Sequence, residues 1–96
     1  GIEMISKKIK ITNPSGLHLR PAGNLCNTAV QYKCKITFDY DGGNANAKSV
    51  LSVLGACVKC GDEINLICDG EDEEEAMKAM TEAIEGGLQE TETPLK

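Results

Sequence analysis

The sequence predicts a two-layer open-faced sandwich of the α+β class: a four-stranded antiparallel sheet covered on one face by three helices, in the order βαββαβα. Three observations carry this. Short segments alternate apolar with polar residues, as strands buried on one face only must. Other segments repeat apolar residues at three- and four-residue steps, one face of a helix each. The chain has 96 residues, a length that hides roughly 65% of its unfolded surface and supports one modest core.

The first strand runs from Ile5 to Ile11, with Ile5, Ile9 and Ile11 on one side and Lys8 and Lys10 on the other; Lys7 interrupts the pattern. Asn13-Pro14-Ser15-Gly16 is a loop by composition. From His18 to about Gln31, Ala22, Leu25, Cys26, Ala29 and Val30 line one helix face, and Pro21 suits a first turn, where its missing N–H costs nothing. Cys34, Ile36, Phe38 and Tyr40 alternate with Lys35, Thr37 and Asp39 in a second strand. Asp41-Gly42-Gly43 turns the chain into a short return strand from Asn44 to Ala47. Ser49 to about Leu54 is a short helix. After a turn at Gly61-Asp62, Ile64, Leu66 and Cys68 mark the fourth strand. Asp72 is placed to cap the last helix, with Glu75 at capping-box spacing. That helix buries Ala76, Met77, Met80, Ala83 and Ile84 and ends at Gly86-Gly87.

Charge and composition exclude several functions. Lys plus Arg is 10 against 15 Asp plus Glu, a formal net charge of −5, which argues against nucleic acid and against an anionic membrane surface. The longest apolar run, Val50 to Val58, is interrupted by Ser52 and is too short to insert in a membrane. The first residues contain no apolar signal-peptide core. Five cysteines, an odd number, do not suit a closed disulfide framework, so a reduced, cytoplasmic protein is expected. No GxxxxGK[ST] loop or other nucleotide signature is present.

The only histidine, His18, lies in Gly16-Leu17-His18-Leu19-Arg20-Pro21-Ala22, a glycine loop entering a helix. A helix start offers unpaired N–H groups and partial positive charge to an anion. A guanidinium two residues away adds donors for phosphate oxygens, and an imidazole is a competent nucleophile near neutral pH. Such a ring can accept and hold a phosphoryl group; the plainer reading is a surface histidine beside a helix cap. Ser49, in Asn46-Ala47-Lys48-Ser49-Val50-Leu51, is an N-cap by position and a candidate for regulatory phosphorylation, since a helix start tolerates the added charge. Cys57-Val58-Lys59-Cys60 has metal or redox spacing, but Cys26, Cys34 and Cys68 form no second ligand pair and fall on apolar faces. No metal site is therefore assigned. The acidic run Glu71 to Glu75 reads as a solvated helix start.

The segments around His18 and Ser49 together resemble the active-site and regulatory-serine motifs of HPr, the histidine-containing phosphocarrier of the bacterial sugar phosphotransferase system. The resemblance runs from about Met4 to Leu88, one carrier domain, with Gln89 to Lys96 as a tail. It implies an open-faced sandwich whose His18 takes phosphate from phosphorylated enzyme I and passes it to enzyme IIA. Arg20 and the nearby helix-start N–H groups would steady the phosphate. A kinase or phosphorylase could act on Ser49. With no means to use ATP itself, the chain is expected to be a stoichiometric carrier, without cofactor and monomeric, rather than a turnover enzyme. Leu19, Gly23, Val50, Leu51 and Leu54 are the candidates for partner docking, because apolar residues beside a site mark an interface. Two alternatives remain: a regulatory relative that does not feed sugar transport, and a small cysteine-based metal or redox module.

Overall fold

The computed structural model describes residues 4–89. The expected tail, from residue 90 on, lies outside the described residues. The elements are β1 (Met4–Lys10), α1 (Leu19–Ala29), β2 (Lys35–Tyr40), β3 (Gly43–Asn46), α2 (Val50–Gly55), β4 (Glu63–Asp69) and α3 (Glu73–Glu85). The expected order and class hold, with boundaries displaced by one or two residues. No helix among the described residues is long and apolar enough to cross a membrane.

The four strands form one antiparallel sheet in the order β1-β4-β2-β3. The register places Ile9 opposite Ile64, Ile36 opposite Cys68, and Phe38 between Leu66 and Ala45. Directly opposed residues share a face, so the buried side chains of all four strands meet on one side of the sheet. Phe38, Ile36, Leu66, Cys68 and Ile64 are all at most 1% exposed, each contributing about 1.5–3 kcal/mol by leaving water. α3 lies over β1 and β4, α1 packs between α3 and α2, and α2 meets β3. Lys7, the residue that interrupts the first alternation, does share the buried face. It sits on an edge strand, though, and stays exposed in a groove with Ile5, Met77 and Lys78, where a long charged side chain can keep its head in water.

Four expectations are corrected. Val30 is 56% exposed, although it is the C-cap of α1, keeps helical dihedrals, and its N–H still reaches Cys26 O at 2.9 Å. Asp72 occupies the N-cap position of α3 but makes no side-chain capping bond. Its carboxylate instead accepts the N–H groups of Lys33 at 2.8 Å and Cys34 at 2.9 Å, fastening the α1–β2 turn to the start of α3. These bonds, Lys33 first, lower the Asp72 pKa. The neighbouring Glu73 is buried rather than solvated, its Oε1 accepting Gly70 N–H at 2.9 Å. Glu75 is exposed, so the reciprocal box does not form. Beyond these four, Leu88, which belongs to no periodic stretch, is 1% exposed and its carbonyl accepts Asn24 Nδ2 at 2.7 Å.

Candidate functional site

His18 is the N-cap of α1, with extended backbone (φ −78°, ψ −175°) and no side-chain capping bond. Its carbonyl accepts the first helical bond, from Ala22 N–H at 2.7 Å. Helix geometry leaves the N–H groups of Leu19 and Arg20 without intrahelical acceptors, and Pro21 has none to leave. Between buried Leu17 and buried Pro21, the three residues His18, Leu19 and Arg20 are all exposed. An imidazole, a guanidinium and two backbone donors thus share one helix start, where the helix dipole favours an anion.

The approach to His18 is held from below. Asn13 Nδ2 donates to Gly16 O at 2.8 Å, and Gly16 N–H donates to Asn13 O at 3.1 Å. Leu17 N–H donates to Val58 O at 2.9 Å. This contact brings the backbones so close that a Cβ on Gly16 would lie 2.6 Å from Val58 O; Gly16 also has φ +65°. The supporting loop is itself clasped. Ile11 N–H reaches Asp62 O at 2.8 Å, Gly61 N–H reaches Ile11 O at 2.7 Å, and Cys60 Sγ lies 3.6 Å from Thr12 O. A cavity of about 280 Å³ lies beside the imidazole, lined by Leu17, His18, Leu54, Cys57, Val58 and Lys59.

Ser49 caps α2 as its position requires: its extended backbone lets Oγ accept Ser52 N–H at 3.2 Å. Ser52 Oγ in turn accepts Asn46 N–H at 2.8 Å. Lys48 Nζ donates to Tyr32 O at 2.6 Å, tying the entry of α2 to the exit of α1. Sequence reasoning did not single out Lys48, because nothing local distinguishes it from a solvated lysine; its partner is brought to it by the fold alone.

Of the candidate docking residues, Leu19 is 68% and Leu51 81% exposed, while Val50, Leu54 and Gly23 are half-buried. Only Leu54 shares the His18 cavity. α1 and α2 pack together, so these residues belong to adjoining helices. In so short an α2, Val53 is the only fully buried residue; Val50 and Leu54 pack partly against the core, and Leu51 alone stands clear of it.

The cysteines divide as their spacing suggested. All five are free thiols; Cys26, Cys34 and Cys68 are buried, while Cys57 and Cys60 are exposed. Burial pushes the Cys26 pKa up. Burial, then the bond to Asp72, pushes Cys34 up to about 11. Burial, then the adjacent Cys34, pushes Cys68 up to about 12. Among the described residues, no three His, Cys, Asp or Glu side chains gather as metal ligands.

The sequence profile described as PTS HPr component phosphorylation site matches residues 5–86, nearly all of the described chain. The chain belongs to the HPr family. It is 36% identical to HPr-C-His from Thermoanaerobacter tengcongensis, whose crystal structure it matches with a TM-score of 0.86, covering 91% of this chain and 98% of that one. It is 34% identical over 82 residues to the HPr-like protein Crh of Halalkalibacterium halodurans, covering 85% of this chain and 98% of the relative. It is 37% identical over 91 residues to the multiphosphoryl transfer protein of Salmonella typhimurium, covering 92% of this chain but only 24% of that much longer relative. The matched stretch is thus a phosphocarrier domain of the HPr family.

Proposed function

We propose that this HPr-family chain accepts a phosphoryl group on His18 from phosphorylated enzyme I and passes it to enzyme IIA of a sugar phosphotransferase system. The observation that carries the reading is the exposed His18 imidazole at the start of α1, on the same turn as Arg20. In each transfer an unprotonated ring nitrogen attacks phosphorus in line, the N–P bond forms, and the bond from phosphorus to the donor breaks with its electron pair staying on the donor. Arg20 and the N–H groups of Leu19 and Arg20 oppose the charge on the three oxygens. The clasp from Gly16, Leu17 and Val58 positions the backbone that leads into His18 without covering the ring. Leu19, Gly23, Val50, Leu51 and Leu54 form the docking surface, and phosphate on Ser49, placed by a kinase and removed by a phosphorylase, weakens docking. Residues 4–88 act as one monomeric carrier domain with residues 89–96 appended, in a reducing cytoplasm that suits five free thiols.

A regulatory reading, in which the same surface signals without feeding sugar transport, is favoured by the comparable likeness to the HPr-like protein Crh. One experiment addresses both. The chain is incubated with phosphoenolpyruvate and enzyme I, then with enzyme IIA, and His18→Ala is treated alongside. The carrier reading expects an acid-labile, phosphate-sized mass gain on the wild type only, followed by its loss to enzyme IIA. Phosphate retained by His18→Ala would remove His18 from the role. Phosphate accepted but never passed on would favour the regulatory reading.

A further inference from the structure

We propose that Cys57 and Cys60 form a thiol–disulfide exchange site that closes access to His18 when oxidised; this rests on His18 being the phosphoryl acceptor. The two thiols are the only exposed ones among five, and they lie in the loop that supports His18. Cys57 lines the cavity beside the imidazole together with Lys59. It holds φ at +54°, a region a side-chain-bearing residue enters only when its surroundings fix it there. Cys60 is held apart, its Sγ on Thr12 O. Between them, Val58 carries the carbonyl that anchors Leu17. The loop therefore connects the pair directly to the residue preceding His18.

The oxidant suited to this site is a small anionic disulfide, because the cationic residue Lys59 is among those lining the cavity that the reagent must enter, and no acidic residue among the described ones is. The Cys57 thiolate attacks one sulfur of the reagent. A new S–S bond forms, the reagent's own S–S bond breaks, and the departing half leaves as a thiolate that takes up the proton Cys57 gave up. The Cys60 thiolate then attacks the Cys57 sulfur and expels the second half as a thiol. In sum, two protein thiols are oxidised to one disulfide and one reagent disulfide is reduced to two thiols. The adduct occupies the cavity beside His18. The closed disulfide draws Cys60 off Thr12 and strains the Val58 carbonyl that holds Leu17. A reducing thiol reverses both steps.

Oxidised glutathione is the probe, and diethyl pyrocarbonate, which acylates imidazole, reports on His18, the only histidine. This readout needs no enzyme I, so failure of phosphoryl acceptance and failure of the switch are separate results. The expected product from the wild type has lost two hydrogens between Cys57 and Cys60. Cys60→Ser should instead stop at a glutathione adduct on Cys57. In both products His18 should react several-fold more slowly, and dithiothreitol should restore the rate; Cys57→Ser should show no slowing. Reaction at Cys60 without Cys57, no reaction at either thiol, or an unchanged His18 rate in the oxidised protein overturns the proposal.

Discussion

The same substitution, glycine to alanine, should have opposite signs at two positions seven residues apart. At Gly16 a Cβ would lie 2.6 Å from Val58 O and 2.8 Å from Lys59 Cα, both backbone atoms, and φ is +65°. Alanine in that left-handed region costs about 1–2 kcal/mol. Relieving the contact requires the two backbones to part, which weakens the Leu17–Val58 hydrogen bond by about 1 kcal/mol. The sum, about 2–3 kcal/mol, is a large share of the roughly 5–15 kcal/mol that holds a domain folded. It should lower the midpoint of thermal unfolding by roughly 10–20 °C at this size. At Gly23, inside α1, a Cβ would meet nothing within 4 Å. There alanine removes backbone freedom from the unfolded chain and should raise stability by about 0.5–1 kcal/mol.

Urea unfolding of Gly16→Ala, Gly23→Ala and the wild type reads both effects. Gly16→Ala should also move His18, visible as a changed imidazole NMR signal, because Leu17 is the link between Val58 and His18. A Gly16→Ala protein as stable as the wild type, with an unmoved His18 signal, would refute the close approach as the device that places the site. Loss of stability in Gly23→Ala would show that α1 needs a glycine there for packing.

Three further outcomes follow from the polar and thiol contacts. Ser49→Ala should cost about 1 kcal/mol through the lost cap, whereas Ser49→Asp, an equally good cap, should unfold like the wild type; Ser49→Asp should nevertheless bind enzyme I more weakly in a titration, and equal affinity would leave Ser49 a cap alone. Cys34 and Cys68 have folded pKa values raised to about 11 and about 12 from the ordinary 9.0, so the stability they hold is complete below pH 9 and is lost as pH rises through 11 and 12; Cys68→Ala, unfolded by urea across that window, should show a shallower alkaline decline. The Asp72 pKa is lowered, so its stabilisation is present above the ordinary aspartate value and fades as pH falls through the folded one; Asp72→Asn should be less stable at neutral pH, with a smaller acid-side slope in the same assay.

The parts of the fold legible in the sequence are those fixed by local periodicity. Ile64, Leu66 and Cys68 alternate because one face of β4, in the middle of the sheet, is covered by the helices, and each is at most 1% exposed. Ser49 was legible as a cap because its bond to Ser52 N–H spans three residues. Asp72 was misread for the converse reason. Its side chain has the right type and spacing for a local cap, but Lys33 and Cys34, 39 and 38 residues away, offer backbone donors that chain geometry alone cannot foresee. Leu88 escaped notice likewise: a single apolar residue past a helix end has no period, and only the meeting of α1 with the C-terminal turn buries it.

The site shows the same division. The pairing of His18 with Arg20 is sequential, so the two-residue step was enough to place them on one turn. What holds that turn in place is tertiary and was invisible: Val58 O beneath Leu17, and the loop from Cys57 to Asp62 clasped to Ile11 and Thr12. On the proposed carrier role, in which one imidazole meets two unlike partners, that arrangement has a use. The ring would have to stand clear of its own fold, yet start from a fixed place on the backbone, because a wandering attachment point would lose transfer rate to disorder. Anchoring the residue before His18, rather than His18 itself, meets both demands. It also means that a perturbation of the supporting loop reaches the ring without touching it, which is why the Gly16 and Cys57 experiments read out at His18.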